Sequence, residues 1–189
     1  MRVKKNLARV STALLVAACL GSSAWAQHGV AISNFGRVND NYFRGAQPQG
    51  DDYGSLAALG VKTVINLIGD DIDPAEASMV AKNGMTYVHI PMNTRVPPTK
   101  EELATFLGVV NDPARQPVYV HCVGGKHRTG VMTAVYRMTR DGWAPDKAFR
   151  EMKQYRFGAD FLHPEFKRFV YAFRSEPAPL MTAEVTATR

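Results

Sequence analysis

Val118-Tyr119-Val120-His121-Cys122-Val123-Gly124-Gly125-Lys126-His127-Arg128-Thr129-Gly130 decides how the rest of the chain is read. A β-branched apolar run ends in His-Cys, a glycine-rich turn follows, and Arg-Thr-Gly opens a helical segment. That order predicts strand, tight loop, helix N-terminus. The first N–H groups of a helix have no intrahelical acceptor, and the helix dipole favours an anion in front of them. Gly124 and Gly125 let the backbone bend around such an anion. Arg128 can clamp an oxyanion with two parallel hydrogen bonds. The same field favours the thiolate form of Cys122, which is the nucleophilic form. A loop that holds a phosphate-sized anion and aims a thiolate at it predicts phosphoryl transfer to sulfur. An inert cysteine at a strand end would need neither the arginine nor the paired glycines.

These residues resemble the signature of the cysteine-dependent phosphatases, His-Cys-x-x-Gly-x-x-Arg-Ser/Thr, with His121, Cys122, Gly125, Arg128 and Thr129 at its fixed positions. The inner Gly-Lys-His-Arg-Thr-Gly is most similar to the atypical dual-specificity phosphatases of plant and fungal type and their bacterial relatives. The resemblance runs from about Tyr42 to about Phe173. The family's Tyr/Phe-Arg-Ser/Gly-x-x-Pro element is matched by Phe43-Arg44-Gly45-Ala46-Gln47-Pro48. It implies that Cys122 attacks phosphorus and forms a phosphocysteine. The N–H groups from Val123 to Arg128 and the Arg128 guanidinium would hold the equatorial oxygens. The Thr129 hydroxyl would help the thiolate leave, and His121 would brace the loop. Strand alternation turns His121 away from Cys122, which argues against a direct acid. Lys126 and His127 on the loop crest are either contacts for a second phosphate or a solvated pair of cations. Arg44 either reaches the anion or pairs with an acid.

The N-terminus reads as a targeting segment. Arg2, Lys4, Lys5 and Arg9 precede the apolar run from Ser11 to Leu20, Ala24-Trp25-Ala26 offers a cleavage site before Gln27, and no acidic residue precedes Asp40. This predicts a secretory signal peptide over residues 1–26 and an exported, periplasmic or secreted protein. Val16-Ala17-Ala18-Cys19 gives a second reading, a lipid anchor on Cys19. The full chain carries 23 Lys+Arg against 17 Asp+Glu, net +6; without the segment the net charge is +2. The basic balance is therefore largely a targeting feature, and nucleic-acid binding is not expected. Stable membrane insertion is not expected either. Cleavage would leave Cys122 as the one cysteine, with no internal disulfide partner.

Along the remainder, residues 27–41 read as a polar, loose lead-in, 42–175 as the phosphatase domain and 176–189 as a disordered tail. Strands are expected at 42–46, 61–68, 86–90 and 117–121, and helices at 52–59, 73–83, 100–111, 128–141, 145–155 and 163–174. Gly60 marks a C-cap. Thr99 and Glu102 form a capping box, and Asp73, Pro74 and Glu76 read as another. Strands alternating with helices predict a single α/β domain, a mostly parallel sheet of four to five strands covered on both faces. The loop lies at the carboxyl end of a strand, where open α/β sheets place their sites.

The proton donor is less plain. In many relatives an Asp on the loop after the preceding strand protonates the leaving oxygen, but Asn93 stands near that position here. Asp70 and Asp71, on a neighbouring loop at the same sheet end, are the substitutes. Alternatively no acid is needed. A tyrosine leaving group has a pKa of about 10, whereas phosphate has its second pKa near 6 and departs unprotonated. Expected substrates are therefore phosphotyrosine or phosphoserine proteins, or polyphosphorylated small molecules such as inositol pyrophosphates. The five histidines lack ligand spacing, so neither metal nor cofactor is expected. A non-catalytic phosphate-binding module and a rhodanese-like sulfurtransferase are the alternatives to a phosphatase.

Overall fold

β5 (Val118–Cys122) is buried along its whole length because it is the middle strand of the sheet. The computed structural model describes residues 30–174. The expected signal peptide, its cleavage site, Cys19 and the expected tail lie outside them. The other strands are β1 (Gly36–Asn39), β2 (Tyr42–Ala46), β3 (Thr63–Ile68) and β4 (Thr86–Met92), in the order β1-β2-β5-β3-β4. β2, β5, β3 and β4 are parallel, and β1 adds an antiparallel edge. The helices are α1 (Asp52–Ala58), α2 (Glu76–Lys82), α3 (Lys100–Val110), α4 (His127–Arg140), α5 (Pro145–Gln154) and α6 (Pro164–Ala172).

Pleat alternation gives the sheet two cores. Val118, Val120 and Cys122 share one with Tyr42, Ile65, Phe106 and Met132. Tyr119 shares the other with Phe43, Tyr53, Leu56, Val64 and Val80. A third cluster joins α4 to α5 and α6 through Val131, Ala134, Phe149, Met152, Phe157 and Phe166. These apolar stripes recur at helical spacing and hold α4 against the elements behind the loop.

Three local expectations change. Residues 36–39 are not loose: they form β1, register-paired with β2. β4 continues through Pro91 to Met92, which an edge strand tolerates because Pro removes only one donor; its pairing with β3 shifts between Asn66 and Ile68. The capping box expected at Asp73 and Glu76 does not form. Asp73 Oδ1 accepts from the Ala75 N–H at 2.8 Å, α2 starts at Glu76, and the Glu76 side chain turns into the interior. The Thr99–Glu102 box is present in both directions.

Candidate active site

The loop joining β5 to α4 closes around a cavity of about 230 Å³ lined by Thr94, Cys122, Val123, Gly124, Lys126, His127 and Arg128. Cys122 is 4% exposed, and the cavity is its access to solvent. Four segments distant in sequence hold the loop. Asn34, in the left-handed region at φ 57°, donates through Nδ2 to Gly125 O at 2.8 Å and to Tyr155 O at 3.0 Å. The Gln47 N–H donates to Val123 O at 3.2 Å. Arg44 Nη2 donates to Gly125 O at 2.8 Å, and its guanidinium lies 4.0 Å from the Tyr155 ring centroid. The His127 Nε2–H bonds Phe157 O at 2.9 Å.

The two loop glycines are not equivalent. Gly125 has φ 63°, and a Cβ there would sit 2.3 Å from Gly45 C and 2.4 Å from Gly45 O. Gly124 has room, its nearest neighbours being the Lys126 methylenes at 3.6 Å. Only Gly125 meets both demands that a glycine alone satisfies, positive φ and close backbone approach.

Arg44 is a correction. It neither lines the cavity nor pairs with an acid. Fully buried, it braces the loop from below, and burial lowers its affinity for a proton. His127 is another: it lines the cavity but is no solvated cation. Burial first, then the neighbouring His163, depresses its pKa below the usual 6.5, and the two rings lie 3.7 Å apart. Lys126 keeps its place at the cavity wall.

Arg128 is 5% exposed at the start of α4, and its Nη1 donates to Met92 O at 3.2 Å and to Asp70 Oδ1 at 2.9 Å. Thr129 is fully buried, and its Oγ1 has no hydrogen-bond partner among the described residues. Of the two acid candidates, Asp70 reaches Arg128, while Asp71 is exposed in a left-handed turn at φ 47°. Asn93 serves its own turn, its Oδ1 accepting from the Arg95 N–H at 2.7 Å. No carboxylate lines the cavity.

On the opposite face of β5, His121 is fully buried. Its Nε2 lies 2.9 Å from Glu76 Oε1, off the line of a good hydrogen bond. Glu76, also fully buried, accepts from Asn66 Nδ2 at 2.6 Å and from the Tyr53 hydroxyl at 3.3 Å. Sequence reading missed Glu76, Asn66 and Asn34. Only Asn34 carried a signal, as an asparagine before Phe-Gly in a short polar stretch suited to positive φ.

A cysteine aimed into an arginine-backed, glycine-hinged loop at the carboxyl end of a central parallel strand defines a class, the cysteine-dependent phosphatases. The chain belongs to its dual-specificity-type branch: residues 27–166 match the family described as DSP-PTPase phosphatase fused to NAD+ kinase. It is similar to the dual specificity protein phosphatase TpbA of Pseudomonas aeruginosa strain UCBPP-PA14, 30% identical over 137 residues, covering 72% of this chain and 61% of that protein. It is also 26% identical over 156 residues to inositol diphosphatase DSP2 of Oryza sativa subsp. japonica, covering 79% of this chain and 74% of that one. The chain thus spans about three fifths of the length of TpbA. Among solved structures, the catalytic core of the PP-IP phosphatase SIW14 from S. cerevisiae aligns with TM-score 0.65 at 22% identity, over 76% of this chain and 86% of that one. The structure of P. aeruginosa TpbA aligns with TM-score 0.64 at 25% identity, over 75% and 86%. The family match removes the sulfurtransferase alternative.

Proposed function

We propose that this chain is a phosphatase working through a phosphocysteine, and that phosphoanhydrides of the inositol diphosphate type are its preferred substrates. The observation that carries the reading is the cavity itself, where Cys122 opens onto Arg128, Lys126 and the loop backbone and no carboxylate faces the substrate. Cys122 Sγ attacks phosphorus in line and the P–O bond to the leaving group breaks. Arg128 and the loop N–H groups hold the charge that develops on the equatorial oxygens. Water then attacks phosphorus, the P–S bond breaks, and the Thr129 hydroxyl, with no other hydrogen-bond partner among the described residues, donates to the departing thiolate. A leaving phosphate needs no proton near neutral pH, so the missing acid costs little for an anhydride and much for a tyrosine ester. The inositol diphosphatases among the relatives support the same reading.

A second reading, phosphotyrosine proteins, is favoured by one observation: Asp70 holds its carboxylate beside Arg128 and is the one acid in reach of the site. Phosphate release from an inositol diphosphate, a phosphotyrosine peptide and para-nitrophenyl phosphate, with Cys122→Ser as control, separates the two. Faster turnover of the peptide than of the diphosphate overturns the first. Vanadate binding without any turnover leaves a phosphate-binding module. We also infer export, from the basic-apolar-Ala-x-Ala order of residues 1–26. Cell fractionation followed by intact mass should find the chain outside the cytoplasm and starting at Gln27; full-length protein in the cytoplasm overturns this.

A further inference from the structure

Glu76 is a fully buried carboxyl group that the chemistry above does not use. Three donors converge on it: Asn66 Nδ2 on Oε2 at 2.6 Å, and the Tyr53 hydroxyl at 3.3 Å and His121 Nε2 at 2.9 Å on Oε1. Asn66 cannot be turned round, because its Oδ1 already accepts from the Ile68 N–H at 2.7 Å. An ionised carboxylate accepts only, whereas a protonated one must also donate. Three incoming donors therefore suit the carboxylate. A buried carboxylate without a positive partner costs several kcal/mol. His121 is the one side chain within ion-pair distance that can supply the charge. The poor alignment of its N–H with Oε1 weakens a neutral hydrogen bond far more than it weakens a charge pair.

We propose that Glu76 is a positioning residue that keeps His121 protonated beneath the phosphate loop, so that the positive end of a buried ion pair lies next to Cys122 and favours its thiolate. His121 is joined to Cys122 through the backbone, while Glu76 comes from α2 on the far side of the ring, so the pair points its positive end at the nucleophile. The other titratable or charged groups around the pair are few. Tyr53 of α1 gives its proton to Glu76 or to Pro48 O, and burial with the neighbouring Glu76 raises its pKa. Tyr87 of β4 meets Asn66 at 3.0 Å and is raised, chiefly by burial. Tyr119 of β5 stacks on the His121 ring at 5.9 Å and is raised in the same way. Asp73 precedes α2, and Arg44 stands one position before the β2 residue paired with His121. Tyr53, Tyr87 and Tyr119 stay neutral at working pH, which leaves the Glu76–His121 pair to set the local field.

The inference builds on the phosphatase reading but is tested without turnover. Iodoacetamide alkylation of Cys122, followed by intact mass from pH 4.5 to 9, reports the thiolate fraction. In Glu76→Gln the midpoint should move up by about one pH unit, and alkylation at pH 6 should slow about tenfold. Tyr53→Phe removes a hydrogen bond and no charge, and should leave the midpoint within about 0.3 unit. An unmoved midpoint in folded Glu76→Gln, or an equal shift in both variants, overturns the proposal. Should Glu76→Gln fail to fold, the imidazole nitrogen shifts of His121 in the unaltered protein decide it. A ring still protonated at pH 7.5 supports the pair, and a neutral ring at that pH overturns it.

Discussion

On one face of β5, Val118, Val120 and Cys122 run along a hydrophobic core and end at a solvent-filled cavity; on the other, Tyr119 and His121 run along a second core and end at buried Glu76. Alternation of one strand thus separates a reactive thiol from a buried charge pair. The cavity face tolerates charge because water and substrate reach it. The Glu76 face excludes water, so its charges exist only as partners. A side chain moved from one face to the other would fail for opposite reasons.

The sharpest way to break the contrast is to silence one face alone. Cys122→Ser removes the nucleophile with little change of volume. Phosphate release should fall at least a thousandfold or so, while vanadate affinity stays within a few-fold. Retained turnover would move the chemistry elsewhere. Next comes the hinge between the faces. Gly125→Ala puts a Cβ 2.3 Å from Gly45 C at a positive φ. It should cost about 2–5 kcal/mol in urea unfolding, combining left-handed strain and overpacking. Gly124→Ala, in open space, should stay within about 0.5 kcal/mol. Equal losses would mean that the loop moves to accommodate either residue.

The cavity face was legible in the sequence and the other was not, for a physical reason. The strand, loop and helix start are contiguous, and their chemistry depends on spacing that can be read directly from His121 to Gly130. The Thr99–Glu102 box is local in the same way. Glu76 also sits at capping distance from Asp73, but Asp73 closes a tighter turn on Ala75, and the carboxylate of Glu76 finds partners on α1, β3 and β5. Nothing in residues 73–76 encodes those distant partners. β1 was missed because four polar or small residues show no alternation, and its pairing comes from β2. Arg44 and His127 were legible as residues near the loop, while their direction was not, because it depends on Gly125 O and Phe157 O.

A smaller effect is expected at the rim of the cavity. Asp70→Asn keeps the shape beside Arg128 and removes the acid. Under the anhydride reading, kcat on the diphosphate should change less than about threefold, while a proton-donating Asp70 would lose about a hundredfold on phosphotyrosine peptide. The split between substrates, measured at saturating concentration, separates a donor from a residue that only holds Arg128 in the empty site. An equal loss on both would assign Asp70 to orienting Arg128.

The smallest effect concerns acid stability, where His127 and the Glu76–His121 pair should differ in sign. The folded state depresses His127 below its usual 6.5, through burial and then His163. Between the depressed value and 6.5 the unfolded chain binds the extra proton, so stability rises with pH there and falls as acid is added. Melting midpoints should therefore drop on going from pH 7 toward 5, and His127→Gln should flatten that part of the slope. A His121 held protonated by Glu76 contributes the other way, stabilising the fold below pH 6.5 and losing that contribution as pH rises. The observed slope is the difference between the two, so the variant is compared with the unaltered protein at each pH rather than with a flat line. A steeper acid loss in His127→Gln would mean that the proton on His127 stabilises the loop, against both its burial and its bond to Phe157 O.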